Sequence, residues 1–264
     1  MIWIAILAGA YQLFAILVCA LARGQRAEGR GRAQSVSILK PIRGAEPGLR
    51  EALRSHSDLD GDYELLCGVA DPEDPALAII REFPKARAIV SPIKTANAKV
   101  GVLMGLAAEA KHPILIVNDA DVRVERDYLT RVTAPLADPR VGVVTCLFRP
   151  LGSTFAARFE GLGVSTDFAP AALIARQVGV DEFAIGATMA FRRSELDRIG
   201  GFASIADYVA DDYQLGMRIH RLGFKCVLSD VVVESGLGGH WREVWAHQVR
   251  WARTIRVSKT LGYL

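Results

Sequence analysis

Two aspartates, Asp119 and Asp121, follow closely after the apolar run Ile114–Val117. If the strand stays extended, side chains at positions i and i+2 point to the same side, so both carboxylates face one ligand. Such a pair can hold a divalent cation, Mg²⁺ or Mn²⁺, and the cation can bind a diphosphate. The alternative is an ordinary surface turn. Phosphatases that form an aspartyl phosphate share the spacing, but they require Thr or Val where this chain has Arg123.

A second acidic pair, Asp211 and Asp212, stands at the start of a predicted helix over 212–222. Carboxylates at a helix N-terminus are stabilised by the helix dipole, so capping is one interpretation. The other is a general base, which takes the proton from an attacking hydroxyl group. The residue types leave both interpretations open, and Asp212 is the better-placed base if the helix faces a cleft.

A third group, His247, Arg250 and Trp251, lies within residues 241–260, which have the composition of an amphipathic helix. Trp and Arg are typical of helices that lie at a membrane surface. The same residues suit a sugar nucleotide, with Arg250 near a diphosphate and Trp251 stacked on a sugar ring. The two interpretations are compatible.

The elements that must position these residues alternate between strand and helix in the first half of the chain. The predicted strands are 36–41, 63–69, 88–90 and 114–117, and the predicted helices are 49–59, 75–83 and 99–110. This order predicts an α/β fold with a parallel, Rossmann-type sheet. Ligands bind at the carboxyl ends of strands in such sheets, and Lys40, Asp71 and Asp119 all lie at such ends. The sequence therefore predicts that they meet at one edge of the sheet.

The second half is less regular. We expect strands at 141–146, 185–191 and 224–233, and helical turns at 194–199 and 212–222. Residues 152–182 mix Phe, Gly, Ala and Pro with weak periodicity, so no regular element is predicted there.

Composition and charge exclude some function classes. With 264 residues, 51% of them hydrophobic and 23% charged, the chain can bury a core. The net charge of +3 is too small to indicate nucleic-acid binding, and no nucleic-acid partner is expected. The basic residues cluster beside apolar segments, which favours an anionic membrane surface. They are Arg23, Arg26, Arg30 and Arg32, then Arg242, Arg250, Arg253, Arg256 and Lys259.

Residues 2–22 carry no charge. A helix of this length spans about 31 Å, close to the thickness of a bilayer core. The residues Ala20-Leu21-Ala22 resemble a signal-peptide cleavage site, but the run lacks a basic start and is long, so an uncleaved anchor is favoured. The arginines that follow predict a single-pass anchor with the remaining chain in the cytoplasm. Residues 23–34, rich in Gly and Arg, are predicted to be a basic linker.

The ordered set Asp71, Asp119–Asp121, Asp212 and Arg250-Trp251 resembles a family signature. It is similar to the D, D, D, (Q/R)xxRW pattern of ceramide glucosyltransferases and their bacterial relatives, including hopanoid-associated glycosyltransferases. Flanking stretches agree: VSILKP, ADPEDPA, NAKVGVLMGL, GATMAFRR and ADDYQLGMRIHRLGF. The likeness covers about residues 35–256, and one position departs from it, because His247 stands where the pattern has Gln or Arg.

The resemblance implies a GT-A fold and a role for each matching residue. Asp71 would lie near the uridine, Asp119 and Asp121 at the metal and the UDP diphosphate, and Asp212 would be the general base. Lys99, in a stretch similar to the family's Asn-x-Lys, would contact the donor phosphates. Lys40, His247, Arg250 and Trp251 complete the predicted donor site.

The implied function is an inverting transfer of glucose or N-acetylglucosamine from a UDP-sugar to the hydroxyl group of a membrane lipid, ceramide or a hopanoid. The alternatives are a processive polysaccharide synthase of similar fold and a non-catalytic membrane scaffold. The expected organisation is an anchor at 1–22, a linker at 23–34, a GT-A domain at 35–235 and an interfacial Trp/Arg-rich helix at 236–264. The acceptor groove is expected within 152–182.

Overall fold

The structure is a computed structural model that describes residues 2–24 and 34–258. The elements of its first half are α1 (Ile2–Gly24), β1 (Val36–Pro41), α2 (Leu49–Ser57), β2 (Tyr63–Val69), α3 (Ala76–Ile80), β3 (Ala86–Val90), α4 (Ala98–Glu109) and β4 (Ile114–Asn118). The elements of its second half are α5 (Tyr128–Thr133), β5 (Val141–Leu151), α6 (Phe155–Gly163), α7 (Ala169–Gln177), β6 (Thr188–Arg192), α8 (Arg193–Arg198), α9 (Asp211–Arg221), β7 (Lys225–Gly236) and α10 (Trp241–Ser258). Most of the predicted linker at 23–34 and the last part of the predicted interfacial segment, 259–264, lie outside the described residues.

One seven-stranded sheet organises the fold, in the order β3-β2-β1-β4-β6-β5-β7. The pairs β1–β2, β2–β3, β1–β4 and β5–β7 are parallel, as expected for strands joined through helices. The strands predicted in the first half are parallel, as expected, whereas β6 of the second half runs antiparallel to both β4 and β5. Its first residue, Thr188, pairs with the last residue of β4, Asn118. Residues that precede β6 therefore enter the edge where β4 ends.

Apolar residues cover both faces of the sheet, because successive side chains of a strand point to opposite faces. Ile38 belongs to a buried cluster that includes residues of α2 and α5, and its neighbour Leu39 belongs to another that includes residues of α4 and α9. Helices thus pack on both sides, and the carboxyl ends of β1, β2 and β4 share one edge. We call this edge the rim.

Residues 152–182, for which no regular element is predicted, are largely helical. We call α6 and α7, together with α1 and α10 that pack against them, the helical layer. The helices α6 and α7 are joined by a π-helical turn, Val164–Phe168. The weak apolar periodicity concealed them, and Gly161 and Gly163 lower helix propensity within α6. The helix α1 packs against α7, and α10 packs against α6.

Candidate active site

The paired aspartates lie in a turn at the rim. The strand β4 ends at Asn118, and the Val122 N–H donates to the Asp119 carbonyl at 3.2 Å. The extended geometry assumed for Asp119 and Asp121 is therefore wrong, and their carboxylates have different partners. Asp119 Oδ1 lies 2.8 Å from Lys99 Nζ. Asp121 Oδ2 accepts hydrogen bonds from Ser235 Oγ at 2.6 Å and from the Gly236 N–H at 2.7 Å, at the end of β7.

Lys99 connects the two acidic pairs. It lies in the first turn of α4, where the side chain of the N-cap residue Asn97 accepts the Lys99 N–H at 3.1 Å. Its ammonium group lies 2.8 Å from Asp119 Oδ1 and 3.2 Å from Asp211 Oδ2. Burial alone would lower the pKa of Lys99, but the two carboxylates outweigh it and raise the pKa above its usual value. Lys99 is therefore a permanent cation between Asp119 and the start of α9.

Asp212 lies beside Asp119, with Gly186 between them. The Gly186 N–H donates to Asp212 Oδ2 at 3.0 Å, and the Tyr213 N–H donates to Oδ1 at 2.8 Å. A Cβ atom on Gly186 would lie 3.2 Å from Asp212 Oδ2 and 3.6 Å from Asp119 Oδ2. The absence of a side chain at this position leaves the space in which both carboxylates face the same point.

The environment of Asp212 favours its protonated form. Burial raises the pKa of the Asp212 carboxyl to about 6, and the neighbouring Asp211 carboxylate acts in the same direction. Lys99 opposes the shift. A carboxylate with a raised pKa is a stronger base once it is ionised, so the site has the chemistry of proton acceptance near neutral pH.

A buried hydrogen-bond network fixes the segment that contains Gly186. Asn118, the last residue of β4, donates from Nδ2 to Ala187 O at 3.0 Å and to Thr188 Oγ1 at 2.9 Å. The Tyr128 hydroxyl accepts from the same amide at 3.0 Å. The end of β4 and the start of β6 are thereby held in one register, which sets the position of Gly186 relative to Asp119.

Asp71 lies at the same rim, exposed beyond the end of β2, where its Oδ1 accepts the Glu73 N–H at 2.9 Å. The pattern of residues did not single out Asp74, whose carboxylate accepts the Gly44 N–H at 2.9 and 3.1 Å. This contact ties the loop after β1 to the loop after β2. Asp74 lies two residues before α3, and its sequence context gave no signal for that contact.

Lys40 occupies a different position from the one predicted. Its side chain is buried, with 0% of the residue exposed, and its ammonium donates to the backbone carbonyls of Asp119 and Val122. The predicted contact with the donor is therefore wrong, because the ammonium lies beneath the aspartate turn and outside the open cleft.

The α10 residues divide between the rim and the helical layer. His247 Nδ1 lies 2.6 Å from Oε1 of Glu160, a residue of α6 that the sequence did not single out. Trp251 packs against Phe168 and His247, with ring centroids 5.4 and 4.6 Å apart. These contacts engage both side chains with the helical layer, and their contacts with a donor stay predictions.

Arg250 is electrostatically linked to the rim through Glu46. Burial raises the pKa of Glu46, the negative charge of Asp121 adds to this effect, and Arg250 opposes it. The loop after β1 thus places the Glu46 carboxyl group within electrostatic range of both the aspartate turn and α10. Neither its loop position nor its flanking residues predicted this.

The chain is similar in sequence to proteins of one known family. The whole chain, residues 1–264, matches the profile of the family described as "Glycosyl transferase family 21". Among curated proteins it is similar to ceramide glucosyltransferase 1 of Caenorhabditis elegans, with 26% identity over 208 residues, and to ceramide glucosyltransferase 3 of the same organism, with 25% over 207 residues. The matches cover 74% of this chain and 44% of each relative, so the chain spans less than half of their length.

Two solved structures share the fold. The mannosyltransferase PcManGT from Pyrobaculum calidifontis, in complex with GDP-Man and Mn²⁺, has a TM-score of 0.70 at 20% identity, over 94% of this chain and 74% of that one. S. aureus TarS 1–349 in complex with UDP-GlcNAc has a TM-score of 0.57 at 11% identity, over 85% and 65%. They confirm the predicted GT-A fold. The resemblance to ceramide glucosyltransferases is confirmed as well, and the chain belongs to glycosyl transferase family 21.

Proposed function

We propose that this protein transfers a hexose, glucose or N-acetylglucosamine, from a UDP-sugar to the hydroxyl group of a membrane lipid such as ceramide or a hopanoid, with inversion at the sugar. The observation that carries the proposal is the arrangement around Gly186, where Asp119 and Asp212 face one point and Lys99 lies beside them. A donor site and a base are thus adjacent, as a single displacement requires.

The donor site has the ligands expected for a divalent cation bound together with a nucleotide. Within residues 2–24 and 34–258, no cluster of three or more acidic, His or Cys side chains is arranged to hold a metal. Mg²⁺ and Mn²⁺ commonly take one or two carboxylates and fill their remaining positions with phosphate oxygens and water. Asp119 and Asp121 fit this role, and PcManGT was solved with Mn²⁺ and a sugar nucleotide. When bound, the cation neutralises charge on the departing diphosphate.

The other charged residues support the same donor. Lys99 provides a permanent positive charge beside Asp119, suited to a phosphate oxygen once a donor enters. Asp71, exposed at the end of β2, is available to a ribose or base. Arg250 contributes a second positive charge from α10.

Asp212 acts as the general base. Its carboxylate is oriented by the Gly186 and Tyr213 N–H groups and takes the proton of the acceptor hydroxyl as that oxygen attacks the anomeric carbon. One base and one displacement give inversion, whereas retention commonly involves a second displacement. Because the pKa of Asp212 is raised to about 6, turnover should fall as the pH drops through 6, where the carboxylate becomes protonated.

The helical layer suits a lipid acceptor. Four aromatic residues of α6 and α10 form an exposed cluster, the aromatic patch: Phe155, Phe159, Trp241 and Trp245. Trp241 lies 6.0 Å from Phe155 and 5.4 Å from Phe159 between ring centroids. Only four residues separate Trp241 from Gly236, which holds Asp121. An apolar surface beside the rim gives a lipid a route to the site.

The helix α1 supports a position of this surface at a bilayer. Residues 2–22 are long and apolar enough to span a membrane, and Ala15 and Val18 are buried in a helix that packs against α7. We propose that residues 1–22 anchor the protein, that 35–235 form the catalytic domain on the cytoplasmic side, and that 236–264 lie at the interface. The bilayer then presents acceptor lipids to the aromatic patch.

Reconstitution of the full chain in nanodiscs that contain ceramide or a hopanoid alcohol tests the proposal. With UDP-glucose or UDP-N-acetylglucosamine and Mn²⁺ or Mg²⁺, mass spectrometry should detect one sugar on the lipid, and NMR should show the inverted linkage. Asp212→Asn should keep UDP binding and lose transfer. Retained configuration or unchanged turnover of this variant would contradict the mechanism, and a polymer product would indicate a processive synthase.

A further inference from the structure

Lys40 is a charged residue inside the core. It lies on β1 with its side chain on the face of Ile38 and Ile42, which belong to a buried apolar cluster that also contains Val122. The whole residue is 0% exposed. A buried ammonium has a large desolvation cost, which apolar side chains of similar volume lack. A lysine at this position is therefore best explained by the groups to which its ammonium donates hydrogen bonds.

Both acceptors belong to the aspartate turn. Lys40 Nζ donates to Asp119 O at 2.6 Å and to Val122 O at 3.3 Å. These carbonyls stand at the two ends of the four-residue turn that holds both predicted metal ligands. Asp119 O also accepts the Val122 N–H at 3.2 Å, so the ammonium bridges the same two residues that the hydrogen bond of the turn joins.

Among the described residues, the other contacts of the turn hold its side chains, and the backbone bridge between Arg123 and Glu234 lies directly after it. Ser235 and Gly236 hold the carboxylate of Asp121, and Lys99 holds the carboxylate of Asp119. Those partners face the side where a ligand would bind, and their hydrogen bonds would rearrange as phosphate or metal arrives. Lys40 contacts the backbone from the core side, which a ligand does not reach.

We propose that Lys40 is a positioning residue that fixes the Asp119–Val122 turn from inside the core, so that both carboxylates are already placed when a metal and a nucleotide bind. Its catalytic consequence rests on the proposed function. Its effect on the turn does not. Preorganised ligands bind a cation more tightly because less conformational freedom is lost on binding, and removing a supporting contact typically weakens metal affinity by about 10- to 100-fold.

Lys40→Met tests the proposal, because methionine keeps the apolar stem and removes the donors. Ser37→Ala is the matched control: Ser37 is also buried on β1, and it donates to Glu64, far from the turn. Lys40→Gln, which keeps an N–H donor on a shorter stem, serves if the methionine variant does not fold. The wild type and the three variants are compared as full chains in nanodiscs, first without ligand.

Hydrogen exchange measured by mass spectrometry reports on the turn without any activity. Peptides that contain residues 119–123 should exchange about tenfold faster in Lys40→Met, while those of α4 and α9 stay unchanged. Lys40→Gln should exchange at an intermediate rate, and Ser37→Ala like the wild type. If the turn exchanges at the wild-type rate in both Lys40 variants, the proposal is overturned.

The metal dependence separates positioning from simple destabilisation. Half-saturation by Mn²⁺, measured through UDP binding, should rise about tenfold in Lys40→Met and should not move in Ser37→Ala. A smaller active fraction with an unchanged Mn²⁺ midpoint would indicate a merely structural role and would overturn the proposal. Failure of the wild type to bind UDP with Mn²⁺ would count against the proposed function, and the exchange experiment would still decide the role of Lys40.

Discussion

The rim and the helical layer differ in how firmly their side chains are held. At the rim the carboxylates of Asp121 and Asp212 are each held by two polar partners, Asp121 by Ser235 and Gly236 and Asp212 by backbone N–H groups. In the helical layer, Phe155 is 75% exposed and Trp245 is 73% exposed. The difference indicates that one region is preorganised for charged ligands of defined geometry, whereas the other offers apolar surface to a partner without fixed geometry.

Glycine substitutions should show the largest difference in turnover between the two regions. Gly186→Ala places a methyl group 3.2 Å from Asp212 Oδ2, so that carboxylate must shift by a few tenths of an ångström, and we expect turnover to fall about tenfold. Gly163→Ala in α6 meets open space and is the matched control, with turnover unchanged and helix stability slightly raised. Steady-state assays of both variants test this, and equal effects would mean that the rim is not tightly constrained.

The contact between α6 and α10 is the exception within the helical layer. Glu160, whose side chain is 1% exposed, accepts from His247 and Gln248. Glu160→Ala should lower the free energy of unfolding by about 2 kcal/mol, because two hydrogen bonds to a buried charged acceptor are lost. Denaturant titration measures the loss, and hydrogen exchange should rise in α10 but not at residues 119–123. Glu160→Gln, which keeps an acceptor oxygen, should lose less, and an equal loss would assign the effect to charge alone.

Acid should affect the support beneath the rim before the helical layer. His56 is buried beside Asn118, its Nδ1 donates to Ala52 O at 2.8 Å, and burial lowers its pKa to about 3. Below about pH 6.5 the unfolded chain binds a proton that the folded chain excludes, so stability should fall by up to about 1.4 kcal/mol per pH unit. Unfolding at pH 7 and pH 5.5 is measured in the wild type and in His56→Gln, and the difference between their slopes isolates His56 from Asp212, whose raised pKa favours the folded chain as the pH falls. A His56→Gln variant that keeps the full slope would refute the assignment.

Substitutions in the aromatic patch should have the smallest effect on folding. Trp245→Ser should change the free energy of unfolding by less than about 0.5 kcal/mol, because the side chain is already exposed. The expected loss is in lipid transfer, with UDP-sugar hydrolysis retained. Quenching by spin-labelled lipids should reach Trp245 more strongly than Trp251, which packs against Phe168. Val232→Ser, an exposed apolar control on β7, should leave transfer unchanged.

The sequence predicted the first half of the fold well, because local patterns specify it. The strands at 36–41 and 63–69 have the predicted bounds, since apolar residues there mark buried strands in a two-sided sheet. Asp71 and Asp119 lie at one rim, as the strand-end argument requires, and Asp212 lies beside Asp119 from the start of α9. Their roles stay predictions.

What the sequence could not predict depends on distant partners. The antiparallel direction of β6 follows from its pairing with β4 and β5, more than forty residues away in sequence. In the sequence, nothing distinguishes Lys40 from other lysines at strand ends. Its role depends on the carbonyls of Asp119 and Val122, which follow β4. Glu160 explains why a histidine is accommodated at position 247, but the two are 87 residues apart.

The reversed strand β6 also has a consequence for how this site can diversify. Because Thr188 begins β6 at the rim, the segment before it approaches the cleft from outside the sheet, while its register is fixed afterwards by pairing with Asn118. Insertions or deletions within residues 178–183 can therefore be accommodated before the register of β6 is fixed.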